Sequence, residues 1–168
     1  TTTDESDGMW SLAKGSLDPP QLRTFISVSD RDVFSPILSS SGDIAAAMTH
    51  TSSPSRRTTI VTFDPSSSGD LDEIMHSELE QLKPLAVNSK TSELLYTRSK
   101  FGNQAGALEV VSLDREARIR VLIGEGAGYM GAAWSPDGNM LAFISSVSGQ
   151  SEAYVARYSD EGLGRVLM

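Results

Sequence analysis

The chain contains no cysteine, which excludes disulfide bonds, thiol nucleophiles and thiolate metal sites. No apolar run reaches the roughly 20 residues that a membrane-spanning helix needs. Basic residues are outnumbered, with 14 Lys and Arg against 22 Asp and Glu. The resulting net charge of −8 opposes binding to nucleic acid or to an anionic membrane surface, because both are polyanions.

Signals for a nucleophilic enzyme are missing too. The sequence has no Gly-x-Ser-x-Gly motif, which presents the serine nucleophile of many hydrolases on a sharp turn. Only two histidines are present. We expect His50 to be a loop residue after a strand and His76 to be a solvated residue in an acidic connection. The sequence therefore predicts a chain that is not an enzyme, with no catalytic and no cofactor-binding residue.

The N-terminus is short of apolar residues. Residues 1–7 are polar and acidic, so we expect a flexible lead-in there and not a signal peptide. The remaining residues 8–168 are enough for one domain with a sizeable core and marginal for two. We therefore predict a single domain over residues 8–168.

What the sequence does contain is a repeat. Residues 134–138 (Trp-Ser-Pro-Asp-Gly) and the apolar residues 140–144 are typical of a strand, a tight turn and a second strand. A weaker copy surrounds Gly42, which lies two steps of about 48 before Gly138 (138 − 42 = 96). A middle copy then falls at Lys90. Self-similarity at a fixed period is the signature of a repeat architecture.

Each copy is followed by two further strand candidates. The third strands are residues 59–64, 108–114 and 153–159, and the fourth strands are residues 73–75, 120–122 and 165–167. Residues 9–12 and 22–25 supply only the third and fourth strands of an earlier copy. The chain is thus about three and a half four-stranded modules, at approximately residues 8–30 (incomplete), 33–76, 84–123 and 131–168.

One segment fits two interpretations. Met75, Leu79 and Leu82 fall at i, i+4 and i+7, which suits a short amphipathic helix over residues 72–82. The repeat register instead places a strand at residues 73–75, with room for a helical turn after it. We favour the strand.

The second strand of the last module is apolar on both faces. Met140, Ala142 and Ile144 point to one side, and Leu141 and Phe143 to the other, so both faces should be covered. A single sheet cannot cover two apolar faces, but sheets stacked around an axis can. Four-stranded units with a period in the forties therefore predict an all-β fold, a partial β-propeller.

The turn at residues 134–138 with Leu-Ala-Phe after it resembles the WD-like repeat of TolB-like β-propellers. Residues 151–155, closing on residues 165–167, are similar to the second half of the same repeat. The resemblance extends over about residues 9–168, and residues 131–168 carry its specific match. It implies a periplasmic or extracytoplasmic location and allows peripheral association with a membrane complex.

Three and a half modules are too few to close a ring, since propellers have typically four to eight blades. An unclosed stack leaves an apolar face at each end, which calls for a partner. We therefore expect the chain to pack against remaining propeller blades or against another protein subunit, and to act as a non-catalytic interaction scaffold.

Two other functions fit the same resemblance. The chain fits the propeller portion of a prolyl-oligopeptidase-type serine hydrolase whose catalytic domain is absent here, or the sensory propeller of a signalling or membrane protein. In each case the binding surfaces are expected on the connections at the ends of the strands. These connections are residues 25–35, 50–57, 76–84, 98–106 and 124–131.

Two acidic segments have the carboxylates that hard cations prefer. They are Asp30 with Asp32, and Asp70, Asp72 and Glu73 with His76. Neither has the spacing of an EF-hand loop, so we interpret both as solvated connections and predict no metal site.

Glycine and arginine each form a local cluster. Residues 124–131 are rich in glycine, but no helix follows to complete a phosphate-binding loop, so we expect a flexible connection between modules. Arg115, Arg118 and Arg120 form a small basic stripe. A solvent-facing outer strand explains the stripe best, and a docking patch for an acidic partner is the alternative.

Overall fold

The computed structural model describes residues 2–3, 10–17, 20–26, 32–39, 45–51, 57–64, 71–114 and 116–167. All regular structure in these ranges is β-strand, and no helix there is long and apolar enough to cross a membrane. The strands are β1 (Thr2–Thr3), β2 (Trp10–Leu17), β3 (Pro20–Ile26), β4 (Asp32–Leu38), β5 (Ala45–Thr51), β6 (Arg57–Phe63), β7 (Asp72–Ser77), β8 (Glu80–Asn88), β9 (Glu93–Lys100), β10 (Ala105–Ser112), β11 (Ile119–Trp134), β12 (Met140–Ser145), β13 (Glu152–Ser159) and β14 (Gly162–Leu167).

The strands form antiparallel sheets in chain order. Strands β1–β3 make one sheet, β4–β7 a second, and β8–β14 a continuous set of seven. The set of seven is two four-stranded units that share β11, because the first part of β11 pairs with β10 and its last part pairs with β12. We call β4–β7 the second sheet, β8 to the start of β11 the third sheet, and the end of β11 to β14 the last sheet.

The sheets stack face to face, with apolar cores between them. Leu94, Tyr96 and Val111 of the third sheet pack with Ala46 and Ile60 of the second. The opposite face of the third sheet packs against the last sheet, and this core contains Leu95, Leu108, Val110, Leu141, Phe143 and Tyr154. The first strands of these sheets also touch, since β4 contacts β8 and β8 contacts β11. This arrangement confirms the predicted partial propeller.

The last sheet differs from the prediction on its outer face. Leu141 and Phe143 are buried as expected, but Ile144 is 41% exposed and Val155 on the neighbouring strand is 39% exposed. Strand β10 of the third sheet, by contrast, is buried over its central six residues. The third sheet has a sheet on each side, whereas no described residue covers the outer face of the last one.

The repeat is 47 residues long where the packing defines it. Ala47, Leu94 and Leu141 each lie in the second strand of their sheet, in β5, β9 and β12, at intervals of 47 (94 − 47 and 141 − 94). Leu94 and Leu141 both face the preceding sheet, and Ala47 faces away from the third sheet. The alignment of Lys90 with Gly138 is therefore displaced by one residue in the middle copy. The two turns have the same length, since residues 88–93 separate the paired Val87 and Leu94 and residues 135–140 separate Trp134 and Leu141.

Two predicted connections are strands. Residues 124–131 lie inside β11 and continue from one sheet to the next without a loop. Residues 76–84 belong mostly to the ends of β7 and β8, with a bend at residues 78–79, so the strand over 73–75 is confirmed in preference to a helix. Where β11 changes partner, Gly126 has a φ of 140°, and a Cβ atom at Gly128 would lie 3.2 Å from the Ser146 Oγ.

Other predictions fall wholly or partly outside the described residues. The described residues do not include the turn at Gly42, nor Asp30, Asp70 and Arg115. They include only parts of the connections at residues 25–35 and 50–57. Within the expected lead-in, Thr2–Thr3 pair with β2, where Thr2 lies opposite Ser11. That pairing is extended structure at a place where the sequence predicts a flexible segment.

Candidate functional site

Three of the predicted connections meet around one cleft. It lies where β8 begins and where β9 turns into β10, beside the middle of β11, and its volume is about 300 Å³. We call it the polar cleft. Its lining is Gln81, Lys83, Thr97, Ser99, Asn103, Gln104, Gly128, Tyr129 and Met130.

Strand pairing sets the floor of the polar cleft. Gln81 pairs with Ser99 and Lys83 pairs with Thr97 across β8 and β9. Residues directly opposite each other in an antiparallel pair project from the same face. The four side chains therefore form one polar patch at the end of the third sheet, continuous with the apolar surface that packs against the last sheet.

Tyr129 forms one wall of the cleft. Its side chain is only 7% exposed, and its ring lies 6.3 Å from that of Phe143 in the core between the sheets. Burial raises the pKa of the Tyr129 phenol, so the hydroxyl stays protonated. This hydroxyl makes no hydrogen bond to any residue that the structure describes.

The polar cleft is rich in hydrogen-bond donors and lacks acidic groups. Lys83 is half-buried and forms no ion pair within the described part of the chain. No Asp or Glu is found among the described lining residues. The side-chain oxygen of Asn103 already accepts a bond from the Ala105 amide (3.0 Å), which leaves its NH₂ group for other partners.

A second cleft, of about 540 Å³, lies at the opposite end of the third sheet. Here Arg120 donates to Glu93 (2.8 Å) and to the Tyr158 hydroxyl, which itself donates to Glu93 (2.6 Å). Arg120 also binds the Ser159 and Asp160 carbonyls, so it ties the third sheet to the last. Burial and the bond to Glu93 raise the pKa of Tyr158.

This network bears on both interpretations of the arginine stripe. Arg120 lies at the start of β11, the outer strand of the third sheet, where the described pairing is with β10, and its charge is neutralised by Glu93. Arg118 pairs with Asp114 and Glu116, each at 3.4 Å. The solvent-facing outer strand therefore describes these two residues, whereas a free basic patch does not, because each guanidinium already has an acidic partner.

A further ionic network is buried between the second and third sheets. Glu109 is 2% exposed and accepts two bonds from Arg98 (3.0 and 2.8 Å) and one from Tyr96 (2.5 Å). Arg98 reaches Glu80 as well (2.8 Å). Burial, together with the bond to Glu109, raises the pKa of Tyr96, and the bonds to Glu109 and Glu80 raise that of Arg98. Because every member is satisfied internally, this network is structural.

The histidines lie in strands. His50 is in β5 and not in a loop as predicted, with its ring centre 6.4 Å from that of Phe101. His76 is in β7, where its Nδ1 contacts Glu73 at 2.7 Å. Burial opposes ionisation of Glu73, but the bonds from His76 and Arg57 prevail and lower its pKa. Within the described residues, no group of three metal-ligating side chains occurs.

The outer face of the last sheet is an exposed apolar surface. Pairing places Ala133, Ala142, Val155 and Leu167 in one row across the four strands, with Ile144 and Ala153 beside it. All six are exposed, and Leu167 is 52% exposed. We call this surface the outer face.

Sequence reasoning named the connections around the polar cleft but not its individual residues. Lys83 stands next to Pro84 at the start of an apolar strand, and Tyr129 lies in the glycine-rich segment. The only signal available was that each is a polar group next to apolar strand residues. Their proximity depends on how the third and last sheets stack.

No protein-family model matches the sequence, and no curated protein matches it significantly. Several solved structures, however, match the fold of this chain. TolB from Acinetobacter baumannii is 20% identical with a TM-score of 0.70, over 92% of this chain and 37% of its own. An oligogalacturonate lyase from Vibrio parahaemolyticus is 13% identical with a TM-score of 0.67, over 95% and 49%. The β-propeller domain of the trilobed protease from Pyrococcus furiosus is 12% identical with a TM-score of 0.60, over 82% and 42%.

These similarities confirm the TolB-like propeller resemblance at the level of the fold. The chain spans less than half the length of each of these three structures. Proteins with this fold include a lyase and a protease as well as TolB, so the fold alone does not distinguish an enzyme from a binding protein.

Proposed function

We propose that this chain is a non-catalytic interaction module, a TolB-like propeller segment whose last sheet docks against another sheet. The outer face carries the proposal. In the third sheet both surfaces are buried by neighbouring sheets, while the last sheet presents the same kind of apolar surface with nothing described on it. A contiguous exposed apolar surface of this kind marks a site of association.

The shape of the outer face favours a sheet as its partner. The row Ala133, Ala142, Val155 and Leu167 is made of small or branched side chains. Charged residues lie toward one end, where Arg157 is opposite Met140 and Arg165 precedes Leu167 by two residues on β14. Such a surface suits the apolar face of another sheet, supplied by further blades or by a partner protein.

The 168-residue chain should associate in solution and bind a hydrophobic dye. Val155→Asp places a charge in the centre of the outer face, and we expect it to reduce association and dye binding several-fold, because burying an unpaired charge is strongly unfavourable. Val147→Asp is the matched control, since Val147 is 63% exposed in a turn away from this row. Sedimentation velocity and dye fluorescence measure both effects.

Two results would contradict the docking role of the outer face. A monodisperse monomer that melts in one sharp transition and leaves the dye dark would refute the docking role. Equal behaviour of Val155→Asp and Val147→Asp would show that association uses a different surface.

A second candidate is the propeller portion of a serine hydrolase. It is supported by the fold shared with the propeller domain of a protease. This function requires a Gly-x-Ser-x-Gly motif and a downstream histidine elsewhere in the same open reading frame. Sequencing the complete reading frame tests it, and a frame without that motif would eliminate it.

A further inference from the structure

We propose that the polar cleft binds a ligand through a single carboxylate group. The inference goes beyond the docking role of the outer face, because the cleft lies on the other side of the last sheet and involves none of the same residues. Lys83 pairs with the negative charge of the ligand, and Tyr129 and Asn103 donate hydrogen bonds to it.

The charge of the cleft selects an anion. Lys83 is the only charged side chain in the described lining, and it has no acidic partner within the described residues. The chain as a whole carries a net charge of −8, and Arg98 and Arg120 of the third sheet are both paired with glutamates. The half-buried Lys83 ammonium, which lies beside the apolar core, therefore differs from these arginines in lacking a partner. A bound anion would supply one.

Tyr129 supplies a second, independent indication. The residue is 7% exposed and lines the cleft, and its hydroxyl donates to no described residue. This oxygen is not among the fully enclosed side-chain atoms without a partner in the described part of the chain, so it is open to solvent. The phenol can therefore donate a hydrogen bond to an acceptor on a ligand.

The remaining lining groups fit a carboxylate with a short polar attachment. Thr97 and Ser99 contribute hydroxyls, and Asn103 has a free NH₂ group. One cation balances one negative charge, which favours a carboxylate over a phosphate dianion. The volume of about 300 Å³ is at the lower end for ligand pockets and suits a small acid or the last two residues of a peptide.

The cleft at the opposite end of the third sheet lacks this property. Both arginines that line it are occupied by Glu93, Asp114 or Glu116, and acidic groups are part of its lining. An added carboxylate there would meet like charge. The two clefts are therefore distinguishable, and only the polar cleft should respond to an organic acid.

The test is a titration followed by amide chemical shifts of the 168-residue chain. The probes are N-acetylalanylalanine, the same peptide as its C-terminal amide, and lactate. We expect the peptide acid to shift amides around residues 81–83 and 128–130, and the peptide amide to leave them unmoved. If lactate also binds there, the carboxylate suffices, and if only the peptide acid binds, the attached peptide contributes; either result supports the site.

Three variants assign the interaction. Lys83→Gln should weaken binding of the peptide acid about tenfold or more, and Tyr129→Phe about fivefold, because each removes a hydrogen bond to a charged group. Lys90→Gln is the control, since Lys90 is an exposed lysine at the other end of the third sheet. Melting curves establish that each variant is folded.

Two results would overturn the inference. One is equal shifts with the peptide acid and its amide, or no shifts with any probe. The other is unchanged binding in a folded Lys83→Gln variant. Neither result bears on the docking role, because Val155→Asp reports on that surface separately.

Discussion

Glu109 shows how one buried residue organises its surroundings. Its two carboxylate oxygens receive three hydrogen bonds, from Tyr96 and from two nitrogens of Arg98. Tyr96 lies directly opposite Glu109 across the strand pair, and Arg98 is the diagonal neighbour. A carboxylate this deeply buried is tolerated because both of its oxygens accept hydrogen bonds, two of them from a positively charged group.

Glu109→Ala should lower the free energy of unfolding by about 3 kcal/mol, because it leaves the Tyr96 hydroxyl and the Arg98 guanidinium without their buried partner. The comparison variant is Glu116→Ala, which removes an exposed ion pair and should cost less than about 0.5 kcal/mol. Urea unfolding of both variants measures the difference. Similar values for the two would mean that the Glu109 network contributes no more than a surface pair.

At the scale of elements, the turn at residues 135–138 does more than reverse the chain. Gly138 has a φ of 74° and donates its amide to the Ser135 carbonyl (2.9 Å). Its own carbonyl accepts a bond from the Asn88 side chain (3.1 Å), which projects from the corresponding turn of the third sheet. A Cβ atom at Gly138 would lie 2.6 Å from the Asn88 Oδ1. The turn of one sheet is thus fitted against the turn of the next.

Gly138→Ala should therefore destabilise the chain by about 2–3 kcal/mol, from the left-handed backbone and from displacement of Asn88 together. Gly149→Ala is the control that separates the effect of the left-handed backbone from the effect of the contact with Asn88. Gly149 also has a positive φ, 92°, but nothing lies within 4 Å of its added Cβ, so it should cost only about 1 kcal/mol. Thermal and urea unfolding give both values. Equal losses would show that the contact with Asn88 adds nothing.

At the scale of the whole molecule, β11 and Arg120 join the third and last sheets. Strand β11 passes from one sheet to the other as continuous extended backbone. Arg120 adds side-chain bonds from β11 to Tyr158 and to the Ser159 and Asp160 carbonyls. The Tyr158 ring packs against Trp134 at 4.5 Å, so polar and aromatic contacts act at the same junction.

Removing this junction should loosen the last sheet first. Arg120→Met keeps the apolar stem but loses its bonds, and we expect amide exchange in β12 and β13 to accelerate about tenfold while β5 and β6 change little. Arg118→Met is the control, because the Arg118 side chain is 74% exposed and its ion pairs lie on the surface. Hydrogen exchange with mass spectrometry measures each strand. Uniform acceleration across all sheets would mean that they unfold as one unit.

Much of the fold was predictable because its signals are local. Proline, aspartate and glycine at residues 136–138 specify a turn, and alternating apolar residues specify the strands on either side. The strand at residues 153–159 follows from such signals, whereas the strand at residues 73–75 was predicted from the repeat register against a local pattern that suits a helix. The continuous strand through residues 124–131 was not, because glycine-rich sequence usually indicates a loop and its strand pairing comes from two different sheets.

The candidate sites were less predictable than the fold. Lys83 and Tyr129 are 46 residues apart (129 − 83), and each looks unremarkable in its own segment. Arg120 looked like part of a free basic stripe, yet it is paired with Glu93 from another strand. Side-chain partners of this kind depend on strand register and sheet stacking, and a shift of one residue would turn each side chain to the other face.

The sequence by itself determined a β fold of repeated four-stranded units, because turn chemistry and two-residue alternation act over a few neighbouring residues. It also excluded thiol chemistry through the absence of cysteine. Only the tertiary structure decided which apolar faces are covered, which charges are paired, and that a donor-lined cleft forms beside Tyr129. Those outcomes arise where separate sheets meet, and there the free energy depends on contacts between residues far apart in the chain.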